Sequence, residues 1–216
     1  MQYLDEAGKY IMTIILKSIL LAFMVVSLFS CAGVGSAVKP AVDEKIDTTT
    51  MASKDVYVEV DPDVNSDFMN AIKLMQGENY AQAISVLNTV IEREKRLPAP
   101  YVNIAIAYNK LGNNKAAEQN LISALKLDIS QPVANNELGL LYRKQGRFKA
   151  ARVAYENALR EYPEYLSVIR NLGVLCDLYL HDYDCALQQY ENYLDLKPDD
   201  KTVLIWVADV KQRLAK

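Results

Sequence analysis

His181-Asp182-Tyr183-Asp184-Cys185 gathers imidazole, carboxylate and thiol groups in one short stretch, the kind of cluster that holds a metal or moves a proton. His181 is the sole histidine in 216 residues, so sites built from several histidines are excluded and any histidine base would be this one. The stretch falls between two runs of apolar periodicity, where aspartates cap helices, and capping is the reading adopted here. Glu92-Arg93-Glu94-Lys95-Arg96 reads as the solvated end of a helix. The chain has no nucleophile elbow, no Walker loop and no supported carboxylate pair, so neither catalysis, nor a cofactor, nor a small-molecule substrate is expected. Its 24 Lys+Arg against 27 Asp+Glu give a net charge of −3. That balance excludes a generic phosphate-binding polyelectrolyte, and no nucleic acid partner is expected.

The third chemical candidate is Cys31. Ile19 to Phe29 is a short apolar run that follows Lys9 and Lys17 and ends at Leu28-Phe29-Ser30-Cys31-Ala32. It is too short for a comfortable membrane span, which takes about 20 residues. A short apolar core after positive charge, closed by small residues, reads as a secretory signal. With a cysteine at the junction it resembles a bacterial lipoprotein signal, in which residues 1–30 are removed and Cys31 becomes the acylated first residue. An uncleaved N-terminal anchor is the alternative, and Met12 competes with Met1 as the start. The resemblance implies retention at the inner membrane when Asp follows the cysteine. Ala32 stands there, so an outer-membrane, periplasm-facing location is expected. Several acyl chains at about 0.8 kcal/mol per CH₂ make a durable anchor.

From residue 31 to 64 large apolar residues are scarce, and the segment reads as a flexible tether. Asp55 to Val60 alternates with period 2, which suits an extended linker or, less economically, a strand added to a partner's sheet. Beyond it a period emerges. Ala71, Ala105, Gly139 and Gly173 are 34 apart, and so are Leu74, Tyr108, Tyr142 and Cys176. Ala83, Ala117, Ala151 and Ala186 step by 34, 34 and 35. The chain resembles the tetratricopeptide repeat family, whose period is 34. The resemblance implies an all-α solenoid of antiparallel helix pairs over residues 65–198, in repeats of about 64–97, 98–131, 132–165 and 166–198. The small columns let the paired backbones approach, and the large columns fill the layer beside them. Repeat one is atypical, with Asn70 where an apolar residue is usual. Residues 199–216, with Val203, Trp206, Val210 and Leu214 at helical spacing, read as a capping helix that buries Trp206 on repeat four.

With Cys31 acylated, Cys176 and Cys185 remain, an even number in an oxidising compartment. They stand at matching heights of one hairpin, with the extra residue of repeat four expected in the turn between them. A disulfide is expected, against the alternative of two packed thiols.

In the family, the first helices of successive repeats line a concave groove. Carried over by position, one column is Phe68, Val102, Asn136 and Arg170, and a second is Ile72, Ile106, Leu140 and Val174. A third is Met75, Asn109, Arg143 and Asp177, with Lys110 and Lys144 beside it. An apolar stripe edged by Asn and Arg suits an extended or helical segment of another protein. Phe68 and Ile72 stand where a carboxylate clamp would place Lys and Asn, so that ligand class is not expected. The resemblance therefore implies a non-catalytic, lipid-tethered scaffold for assembling an envelope complex of pilus or secretin type. The alternative is an adaptor of a periplasmic peptidoglycan enzyme or of a TonB-type energy-transducing complex.

Overall fold

The computed structural model describes residues 61–216, and these contain helices and connecting turns with no strand. Cys31, the acidic-apolar stretch 55–60 and the rest of residues 1–60 lie outside the described residues. Nine helices follow in order among the described residues: α1 Pro62–Gln76, α2 Tyr80–Arg93, α3 Pro98–Lys110, α4 Asn114–Leu127, α5 Pro132–Lys144, α6 Phe148–Glu161, α7 Leu166–Leu175, α8 Tyr183–Leu196 and α9 Lys201–Leu214. A π-helical turn, Cys176–Leu180, prolongs α7. The first helix starts inside what the sequence suggested was tether. Asp61 caps it, its carboxylate accepting from the Asp63 backbone N–H at 2.8 Å, and Pro62 supplies a first residue that needs no N–H partner.

Proline also opens α3 and α5, and side-chain oxygens cap α4 (Asn113), α5 (Gln131), α8 (Asp182) and α9 (Asp200). The turn inside each hairpin has a common design. A residue with positive φ, Glu78, Gly112, Gly146 or His181, ends the first helix and reverses the chain. In the first three hairpins the next backbone N–H reaches back five residues, as Arg147 N–H donates to the Tyr142 carbonyl at 2.8 Å. In the fourth it reaches back six, Asp182 N–H donating to the Cys176 carbonyl at 2.9 Å. The additional residue of repeat four is therefore absorbed in the helix as the π-turn, and the reversing turn itself keeps its usual shape. This corrects the expectation that the turn holds it.

Helix pairing follows the small-residue columns. A Cβ built on Gly139 would stand 2.4 Å from Tyr155 Cε1, and one on Gly173 would stand 2.6 Å from Tyr190 Cε1. Each glycine thus leaves the hole into which an aromatic ring of the second helix inserts. Tyr155 and Tyr190 are fully buried there, and Ala151, Ala158 and Ala186 bring the backbones together around them. α9 closes the row on α8, burying Val203, Trp206 and Val210, with the Trp206 ring 5.4 Å from that of Tyr190.

Candidate functional site

Each first helix meets the first helix of the next hairpin, α1 with α3, α3 with α5 and α5 with α7, whereas the second helices do not approach one another to the same extent. A row spaced more tightly along its first helices curves with those helices inside. On them Ile72, Ile106, Leu140 and Val174 are all half-buried, one per hairpin. Asn109, Arg143 and Arg170 are half-buried beside this stripe, and Lys110 and Lys144 are exposed at the ends of α3 and α5. The Arg143 guanidinium lies 6.0 Å from the centre of the Tyr179 ring, which joins repeat three to the π-turn of repeat four. Phe68 and Met75 are half-buried and pack on the core of the first hairpin.

Three residues expected in the groove are not open to a guest. Val102 is buried in the core shared by hairpins two and three. Asn136 is buried, and its Oδ1 accepts from Asn171 Nδ2 at 3.1 Å, tying α5 to α7. Asp177 is fully buried, because partners from outside its own helix satisfy it. Arg213 of α9 donates from Nη1 to its Oδ1 at 2.8 Å, and the Tyr190 hydroxyl donates to its Oδ2 at 3.1 Å. Arg213 also binds Asp209 and stands 5.2 Å from the Tyr183 ring centre. Its pKa is raised further, first by Asp209, so the guanidinium stays charged in this setting. The network fixes the end helix to the last repeat.

One titratable group escaped the sequence reading. Glu137 is buried within α5, and its Oε1 has no hydrogen-bond partner. Burial pushes its pKa from 4.5 to about 7, partly opposed by the positive charge of Lys110. The Tyr155 hydroxyl is likewise buried without a partner, and its pKa is raised by burial first. A signal existed: Asn103, Glu137 and Asn171 are 34 apart, a polar column on the first helices.

Cys176 and Cys185 are joined in a disulfide, with their Cα atoms 5.9 Å apart, which staples the π-turn to α8. The two sulfurs and a carboxylate oxygen of Asp182 lie within 4.8 Å of one another, the only such group of ligand atoms among the described residues. The sulfurs are bonded to each other, and Asp182 is committed elsewhere. It accepts from the Cys185 N–H at 3.1 Å and pairs with Arg152 at 2.8 Å, and both interactions lower its pKa. The motif therefore serves as a cap and a staple. What the first-helix face offers chemically is apolar contact with cationic and amide donors along its edge, which is binding chemistry.

Comparison with known proteins agrees with this architecture. The tetratricopeptide repeat family model matches residues 102–165. The auxiliary subunit NAA15 of the N-terminal acetyltransferase A complex from Arabidopsis thaliana is 23% identical over 134 residues, covering 62% of this chain and 15% of its own. The TPR repeat-containing protein YpiA from Bacillus subtilis is 27% identical over 131 residues, covering 60% of this chain and 31% of its own. The chain thus spans less than a third of the length of these curated relatives. Among solved structures, Pseudomonas aeruginosa PilF superposes with a TM-score of 0.63 at 23% identity, covering 69% of each chain. At that identity the likeness establishes the fold.

Proposed function

We propose that the chain is a tetratricopeptide repeat protein, as the family match over residues 102–165 supports, and a non-catalytic scaffold that holds a segment of a partner protein against its first-helix face. The observation that carries this reading is the stripe Ile72, Ile106, Leu140 and Val174, left half-exposed in every hairpin and edged by Arg143, Lys110 and Lys144. A row of aliphatic side chains kept partly in water is best stabilised by an apolar guest, and cations along its rim align the guest's carbonyls or carboxylates. The auxiliary role of NAA15 within an enzyme complex is consistent with a supporting function for this fold.

The finer part of the proposal rests on the N-terminal sequence. Cys31 is acylated, the chain is tethered to the periplasmic face of the outer membrane, and the docked partner belongs to an envelope assembly of pilus or secretin type. The test combines two variants, compared with wild type by crosslinked affinity capture from envelope fractions. Leu140→Glu with Arg143→Glu should keep the helical circular dichroism and lose the captured partner. Cys31→Ala should leave unprocessed chain outside the outer-membrane fraction. Retention of the partner by the first variant overturns the groove assignment. Normal processing and fractionation of the second overturns the anchor.

A further inference from the structure

The two ends of the helix row are finished differently. At the start, Ser66, Asn70 and Lys73 of α1 are exposed. One period on, the same positions are Pro100, Ile104 and Ala107, which are buried. The first hairpin thus replaces the surface that would receive a preceding repeat with polar groups, which is how a terminal repeat stays soluble. This explains Asn70 at a position otherwise apolar.

The other end lacks such a finish. Gly139 follows Ala117 by 22 residues, Gly173 follows Ala151 by 22, and Ala208 follows Ala186 by 22. Ala208 therefore occupies, on α9, the small-residue position that in hairpins three and four receives Tyr155 or Tyr190 from a second helix. One side of α9, Val203, Trp206 and Val210, is packed on α8. The side around Ala208 is uncovered by any described element, with Leu204 46% and Ile205 68% exposed. α9 thus stands to α8 as a first helix stands to the hairpin before it, and its open side is shaped like an interface the chain already uses internally.

The geometry points to the open side of α9 as a second docking surface, whose occupant is an amphipathic helix with acidic flanks contributed by another protein. Continuity with the internal hairpins sets the shape: a helix antiparallel to α9 that places a large apolar side chain over Ala208. Charge sets the flanks, because Lys201, Lys211 and Lys216 are exposed along α9 and its end, Lys211 reaching Glu191 of α8 at 2.8 Å. The same charges argue against a second copy. Two α9 faces brought together would oppose like charges, and head-to-tail stacking would set this apolar face on the polar one of α1. Helix α8 shows what the occupant resembles, since it carries Asp184, Glu191 and Asp195, no lysine or arginine, and Tyr190 at the inserting position.

The probe is a fluorescein-labelled peptide with the sequence of residues 183–196 carrying Cys185→Ser, titrated with the full-length chain and followed by anisotropy. Saturable binding is expected, weakened at least tenfold by Leu204→Glu with Ala208→Glu and unchanged by Leu140→Glu with Arg143→Glu. Both substitutions of the first variant are at exposed positions, so a matching melting curve shows that the fold is kept. Binding should also weaken as salt is raised. Absence of saturable binding, or equal binding by the α9 variant, overturns the proposal. A wild-type dimer that the α9 variant abolishes overturns the choice of occupant in favour of a second copy. None of these outcomes depends on the groove, which the second variant tests separately.

Discussion

Replacing Glu137 with glutamine should stabilise the fold at neutral and alkaline pH and change little in acid. Burial raises the pKa of this carboxyl from 4.5 to about 7, so the fold keeps a proton that the unfolded chain gives up. Below about pH 4.5 both states are protonated and the group has no effect on stability. Between 4.5 and about 7 the unfolded state ionises alone, and stability falls by about 1.36 kcal/mol per pH unit. Above about 7 the deficit is constant. The gap between those two values corresponds to a deficit of roughly 3 kcal/mol. Glutamine has the same shape and cannot ionise, so Glu137→Gln should recover most of that amount. With a urea m-value of about 2 kcal/mol/M, the unfolding midpoint should rise by about 1.5 M at pH 8 and by almost nothing at pH 4. Urea titrations followed by circular dichroism across this range give the difference between variant and wild type, from which other titrating groups largely cancel. Lys110→Met should enlarge the effect, because the lysine charge is what lowers the pKa of Glu137. A difference that is flat with pH, or that favours wild type above pH 7, would refute the assignment of a buried, unpartnered carboxyl.

Gly139→Ala places a methyl group 2.4 Å from the Tyr155 ring and should cost about 2–3 kcal/mol, read as a lower melting temperature. Adding Tyr155→Leu should relieve part of that loss. Cys185→Ala opens the disulfide and should lower stability by about 2–3 kcal/mol under oxidising conditions, with no difference from wild type once both are reduced. Intact-mass measurement after alkylation without reductant should find neither Cys176 nor Cys185 modified in wild type. Arg213→Met removes the guanidinium from which the buried Asp177 carboxylate accepts, at a cost of about 3 kcal/mol. Hydrogen exchange should show the loss first in α9 and in the turn after α7.

The hairpin row was legible because its determinants are steric and recur. Gly139 against Tyr155 and Gly173 against Tyr190 are contacts between fixed positions of one repeat, and spacing alone exposes them. What sequence spacing concealed depends on the third dimension or on departures from the period. A 35-residue step reports an additional residue without saying whether the turn or the helix takes it, and the Asp182–Cys176 bond gives it to the helix. Asp177 falls in a groove column by arithmetic, yet Arg213, 36 residues away on a helix outside the repeats, draws it into the interior. Asn136 shares that fate through Asn171. The start of α1 was missed because Asp61-Pro62-Asp63 has the composition of a linker, and the same residues make an N-cap and a first turn.

Photocrosslinking in living cells can decide whether guests are held on the inner face of the helix row. A photoreactive amino acid placed at Leu140 should give one dominant adduct with another protein, and the same group at Val153, exposed on α6, should give none. Adducts of equal yield from both positions, or from Val153 alone, would show that partners bind elsewhere and that the stripe through Leu140 serves only to pack neighbouring helices.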